Sequence, residues 1–156
     1  MPDPAVIHNT FVIERSYPQA LEIVFNAFSD PSKKRRWYAG DNRTAEEFES
    51  DFRPQGVERF SYRMGQDTPF PGVLITNEGV HCDIIPNERI VIASTMTLGG
   101  RRISASLFTM EFVPAEQGTN LIFTHQGAFF EGSGGPEMRE GGWRYLLEQL
   151  AKSLAP

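Results

Sequence analysis

Pro136-Glu-Met-Arg-Glu-Gly-Gly-Trp-Arg-Tyr-Leu-Leu-Glu-Gln-Leu-Ala-Lys-Ser-Leu154 decides how this 156-residue chain is read. Met138, Trp143, Leu146, Leu147, Leu150 and Leu154 recur at spacings of three and four, which places them on one stripe of a helix. Glu140, Arg144, Glu148 and Lys152 keep the same spacing on another side, as a solvated face does. Pro136 suits a first helical position, and Glu137 complements the positive end of the dipole. Gly141 and Gly142 break the pattern, each at about 1 kcal/mol relative to Ala. Two in a row imply a backbone that lies close to something or leaves room beside it.

Most of the chain upstream of this helix has the two-residue period of strands. Residues 10–16 predict a first strand. Pro18 then opens a helix with the apolar stripe Leu21, Val24, Phe25 and Phe28. Asp30 caps a second short helix, with Pro31 at its first position, that runs to Trp37 and Tyr38. Gly40-Asp41-Asn42 reads as a loop. From Thr44, Phe48, Ser50 and Phe52 alternate with Glu47, Glu49 and Asp51. After the turn Arg53-Pro54-Gln55-Gly56, Phe60, Tyr62 and Met64 alternate with Arg59, Ser61 and Arg63. Residues 66–72 read as a loop. Further strands are expected over 73–85 (bent near Gly79), 89–98, 103–113 and 120–128, with Gly99-Gly100 as a hairpin turn.

An antiparallel meander of about seven strands curls, and the terminal helix is the one element long enough to cover its concave face. A single helix does not fill a half-barrel, so a cavity is expected between the two. The expected class is α+β, one domain over residues 1–156. If Phe48 and Phe52 point inward, the period of two brings Phe60 and Tyr62 with them, then Phe108, Met110 and Phe112, and finally Leu121, Phe123 and His125.

Composition narrows the partners. A net charge of −5 argues against nucleic acid, whose phosphates require a basic surface. The cationic run Lys33-Lys34-Arg35-Arg36 reads as a solvated helix face. One cysteine, Cys82, excludes an internal disulfide and a Cys-rich metal site. No apolar run reaches membrane-spanning length, and the first residues lack signal-peptide character, so a cytoplasmic location is expected. No cofactor motif stands out. With 12 Phe, 4 Tyr and 2 Trp, there are enough rings to line a pocket as well as fill a core.

Four stretches carry a resemblance. They are Phe48-Glu-Ser-Asp-Phe-Arg-Pro-Gln-Gly56, Asp83-Ile-Ile-Pro-Asn-Glu-Arg-Ile-Val91, Gly118-Thr-Asn-Leu-Ile-Phe-Thr-His-Gln-Gly-Ala-Phe129 and Gly142-Trp-Arg-Tyr-Leu-Leu147. Together they resemble the branch similar to the C-terminal domain of the activator of heat shock protein 90 ATPase, within the START and birch-pollen-allergen-like (SRPBCC) superfamily. The resemblance runs from about Phe11 to Leu154. It implies a helix-grip fold, a curved antiparallel sheet wrapped around a long C-terminal helix with two short helices after the first strand. For activity it implies little, because the superfamily hosts carriers, cyclases and hydrolases. Relatives often carry Gly-Gly where this chain has Gln55-Gly56. Many carry a carboxylate at the position of His125, and several a tyrosine at that of His81, so this pocket is expected to be chemically distinct.

The expected ligand is a small hydrophobic or aromatic molecule. Its contacts are Trp37, Phe48, Phe52, Phe60, Tyr62 and His81 from the first half of the chain. Phe108, Met110, Phe123 and His125 add to them from later strands, and Met138, Gly142, Trp143 and Leu146 from the helix. An enzymatic alternative uses His81, Asp83 and His125 as an acid–base group, with His81 and Asp83 on one strand face; the plainer reading has them satisfy one another or orient a ligand. A metal at these three is not expected, since they lack local ligand spacing. The glycine-rich link from Phe129 to Pro136 lacks both G-x-G-x-x-G and Gly-Lys-Ser/Thr, so it reads as a hinge into the helix rather than a phosphate cradle. A chaperone or regulator docked on the outer face is a third reading, and homodimerisation stays open.

Overall fold

Seven strands form one antiparallel sheet in a computed structural model that describes residues 5–39 and 43–156. In chain order they are β1 (Ile7–Tyr17), β2 (Arg43–Ser50), β3 (Val57–Met64), β4 (Leu74–Ile85), β5 (Arg89–Leu98), β6 (Arg101–Ala115) and β7 (Gly118–Phe129). Helices α1 (Leu21–Ser29) and α2 (Pro31–Ala39) follow β1, and α3 (Gly135–Leu154) ends the chain. The expected Gly40-Asp41-Asn42 loop lies outside the described residues. Strand order β1-β7-β6-β5-β4-β3-β2 is a meander with the first strand added beside the last. This is the α+β helix-grip arrangement that the periodicity and the resemblance predicted.

Local chemistry explains the boundaries. Asp30 accepts the Ser32 backbone N–H at 2.9 Å, capping α2 with Pro31 at its first position. Hydrogen bonds from Ser32 to the Asp30 carboxylate also hold its pKa below the ordinary value. Helix α1 starts at Leu21, three residues after Pro18, because Ala20 is still extended. At Gly99 and Gly100, φ values of 57° and 87° make the tight β5–β6 hairpin that glycine permits.

The concave face is the one expected. Phe48 opposes Phe60, Phe108 opposes His125, Met110 opposes Phe123, and Phe112 opposes Leu121, all in the ladder register. With Phe11, Ile13, Ile90 and Ile92 these residues form the core, Phe48 and Phe52 being half-buried at its margin. The second half of α3 closes it tightly. Leu147 and Leu150 are fully buried, and the Tyr17 hydroxyl donates to the Leu147 carbonyl at 3.0 Å. Burial raises the Tyr17 pKa above its usual value, partly countered by Arg15.

Three register shifts depart from the strict alternation. Two fall between Ala45 and Glu47 and between Met96 and Thr97. The third falls between His81 and Asp83, so His81 pairs with Ile92 while Asp83 pairs with Val91. The extra residue reverses the faces. His81 and Asp83 therefore do not share a face: His81 points inward and fully buried, and Asp83 is paired with Arg89 at 2.7 Å on a partly exposed surface.

The cationic run also needs correction. Lys33, Arg35 and Arg36 are exposed, but Lys34 is 4% exposed and binds both oxygens of buried Glu58 on β3, at 2.9 and 2.8 Å. Ser50 donates a further bond to Glu58 at 3.1 Å. The ion pair pins α2 to the sheet.

Candidate functional site

The first half of α3 does not plug the sheet. A cavity of about 300 Å³ lies between it and strands β3 to β6. Met138, Gly142 and Tyr145 present one row of α3 to it, and Arg139, Trp143 and Leu146 the next. Tyr62, Ile75 and Asn77 line it from β3 and β4, and Met96, Ile103 and Phe108 from β5 and β6. The loop after β3 contributes Asp67, Thr68, Pro69 and Phe70, and the glycine-rich link contributes Ser133. Met138 is 44% exposed, and Asp67 and Pro69 are exposed too, so the mouth lies between that loop and the start of the helix.

Gly142 makes part of this space. A Cβ built there would meet nothing within 4 Å, and the same holds for exposed Gly141. The tandem glycines are therefore not explained by close approach of a neighbour. At Gly142 the missing side chain leaves cavity volume. Trp143 forms the floor, its ring 4.3 Å from Phe123, 5.2 Å from Phe108 and 5.8 Å from Tyr38.

The fourteen expected ligand contacts separate into three groups. Tyr62, Phe108, Met138, Gly142, Trp143 and Leu146 do line the cavity. Trp37, Phe60 and Met110 border instead a void of about 10 Å³, roughly one water in size, deeper under α2. Trp37 is a core residue there, donating to the Ala27 carbonyl at 2.9 Å. Phe48, Phe52, His81, Phe123 and His125 line neither space.

His81 supports a turn. Its Nδ1 lies 2.9 Å from the Gly56 carbonyl, its backbone N–H donates to the same oxygen at 2.9 Å, and its carbonyl accepts from Gln55 N–H at 2.7 Å. The Phe52 ring meets it edge-on at 5.2 Å. His125 stacks between Phe11 (4.6 Å, 9°) and Phe129 (5.7 Å, 16°), behind the cavity wall. Thus His81, Asp83 and His125 are not brought together. Among the described residues no group of three His, Cys, Asp or Glu side chains is arranged to hold a metal.

Arg139 is the polar feature of the site that the spacing argument passed over. It is 9% exposed, and its Nη2 donates to Ser104 Oγ at 2.6 Å. Its Nη1 reaches Ser106 Oγ at 3.5 Å and His125 Nε2 at 3.4 Å, and its guanidinium lies 5.2 Å from the centre of the Phe129 ring. Among the described residues it forms no ion pair with a carboxylate. Burial lowers its pKa, opposed by the phenols of Tyr62 and Tyr38, yet a guanidinium stays charged. Burial, and then the Arg139 charge, push His125 down to about 3. The imidazole is therefore neutral, with Nε2 accepting from Arg139. A signal was present in the sequence: Arg139 shares a helical row with Trp143, Leu146 and Leu150, a cation on the apolar stripe.

A curved sheet, a gripping helix and a cavity between them define the helix-grip class, a fold that commonly binds hydrophobic ligands. The profile of the family described as "Activator of Hsp90 ATPase homolog 1-like protein" matches residues 19–155, and the chain belongs to that family. Solved structures agree. An uncharacterized protein from Rhizobium leguminosarum is 38% identical, with 96% of this chain and 95% of that one covered and a TM-score of 0.86. The Mll3558 protein from Rhizobium loti is 42% identical over 96% and 99%, with a TM-score of 0.84. Protein CV1439 from Chromobacterium violaceum, 23% identical over 95% and 98% at 0.79, shares the fold. No curated protein matches the chain.

Proposed function

We propose that this protein binds a small hydrophobic or aromatic molecule in the cavity between β3–β6 and the first half of α3. One observation carries the reading. About 300 Å³ is left open beside Trp143 and Phe108 at the place where α3 lacks a side chain, Gly142. Pockets that bury small molecules have about this volume and this mainly apolar wall with few polar groups. Burial supplies affinity, and Arg139, Asn77 and Tyr62 supply orientation.

The separation of His81, Asp83 and His125 supports binding over acid–base catalysis by that group. A chaperone-docking role would call for an apolar outer patch over a collapsed interior. The interior is hollow, and the exposed aliphatics are spread over β1, α1, β3, β4 and β6, with Val57 and Val80 a directly opposed pair across strands.

The test is a thermal-shift and tryptophan-fluorescence screen against fatty, polyketide-like and flavonoid-like compounds, with Gly142→Leu as the blocked control. Binders that shift the native protein and lose their effect in the variant are expected. A panel without response, or equal response in Gly142→Leu, overturns the reading.

A further inference from the structure

A buried cation without a counter-charge is costly, because the interior cannot replace its hydration and only a paired anion compensates. Among the described residues Arg139 is in this position. Ser104, Ser106 and the neutral His125 accept its N–H groups, and the Met96 thioether lies 3.3 Å from Nη2, but none of them carries negative charge. His125 and the Phe129 ring, 5.2 Å from the guanidinium, are specially accommodated. Gly127 has no room for a Cβ, which would fall 2.8 Å from the His125 ring and 2.9 Å from that of Phe129, so both rings close on the guanidinium's surroundings. The guanidinium is thus fixed in place at the cavity wall.

Among the described residues the one carboxylate on the cavity lining is Asp67, exposed at the mouth and not paired with Arg139. Away from Arg139 the wall is mainly apolar, built on Phe108, Trp143, Ile75, Leu98, Ile103 and Leu146, and its other polar side chains, Tyr62 and Asn77 among them, are neutral apart from Asp67. We infer that the ligand is an apolar acid, aromatic or aliphatic, whose carboxylate completes the ion pair with Arg139 while its hydrocarbon body fills the space beside Gly142. The inference rests on the cavity-binding reading and adds the charge and chemical class of the occupant. A planar guanidinium fork matches a carboxylate better than any point cation does. A volume of about 300 Å³ lies at the small end of ligand pockets, which suits a one- or two-ring or medium-chain acid.

Paired probes test it: decanoate against decanol, and 1-naphthaleneacetate against 2-(1-naphthyl)ethanol, titrated calorimetrically into the full chain at pH 7.5. Each acid is expected to bind at least tenfold tighter than its neutral twin. In Arg139→Met that preference disappears while the neutral twin's affinity is kept; Arg139→Lys retains part of it. Circular dichroism and melting establish that the variants fold, and the native protein's acid-to-alcohol ratio decides the matter even where Arg139→Met does not. Equal binding of acid and alcohol overturns the inference and leaves the cavity reading standing. Absence of binding by both, in native protein and Gly142→Leu alike, removes the cavity reading and this inference with it.

Discussion

Arg139 on α3 and His125 on β7 face each other inside the protein, Nη1 to Nε2 at 3.4 Å, and only the first of them carries charge. A pH dependence follows. The folded-state pKa of His125 is about 3, against 6.5 when unfolded. Between these values the unfolded chain holds a proton that the folded one lacks. Stability from this site is therefore complete above pH 6.5 and declines as pH falls toward 3, by at most roughly 1.4 kcal/mol per pH unit. His125→Gln keeps an acceptor for Arg139 and does not titrate. Urea midpoints at pH 7, 5.5 and 4.5 should fall more steeply for the native protein than for the variant; parallel curves would sink the assignment.

The Lys34–Glu58 pair gives a second prediction. Both side chains are nearly fully buried, so removing one partner strands the other's charge. Lys34→Met or Glu58→Gln should each cost about 3–5 kcal/mol, whereas Lys34→Met with Glu58→Leu should recover most of the loss. Chemical denaturation of the three variants measures this, and additive single losses would contradict it.

The turn held by His81 supplies the third. A Cβ on Gly56 would sit 2.0 Å from the Asp51 carbonyl oxygen, with no side chain there to yield. Gly56→Ala is expected to lower the melting temperature by at least 10 °C. Gln55 next to it has φ 73°, a left-handed conformation that costs a non-glycine residue roughly 1 kcal/mol. Gln55→Gly should therefore raise stability slightly or leave it level, and a marked loss would refute the strain argument.

The fourth concerns α3. Neither Gly141 nor Gly142 has a neighbour that would oppose a methyl group. Gly141→Ala and Gly142→Ala should each stabilise the fold by about 0.5–1 kcal/mol, as helix propensity dictates. Only the second narrows the cavity. Equilibrium unfolding with ligand titration should separate stability, improved in both, from affinity, altered in Gly142→Ala alone.

Much of this architecture was readable from period alone. Leu147 and Leu150 mark the buried stripe of α3, and Phe60, Tyr62, Phe108 and Phe123 mark the concave face, because a half-buried strand must alternate. The extra residue at Cys82 is invisible to that logic. One inserted position reverses the face of Asp83, and no change of residue type announces it. The site was harder still. Phe48, Phe60 and Phe123 face the same way as Phe108, yet whether an inward ring touches another ring or empty space depends on where the helix rides high. Asp67 to Phe70 entered the cavity wall from a stretch with no period at all. Arg139 was legible only as an exception, a cation on a row otherwise occupied by Trp143 and Leu146.

The partnership of β1 with β7 has a consequence for synthesis. Ile7 finds its place opposite Phe129, and Tyr17 opposite Thr119, so the first of the seven strands has no partner until the last of them has been made. The hairpins from β2 to β7 join neighbours in sequence and can assemble as they appear. For that interval Phe11 and Ile13 lack the covering they have in the finished protein, and one bare strand edge awaits closure. A nascent chain held short of β7 is thus the form of this molecule most exposed to pairing with the wrong neighbour.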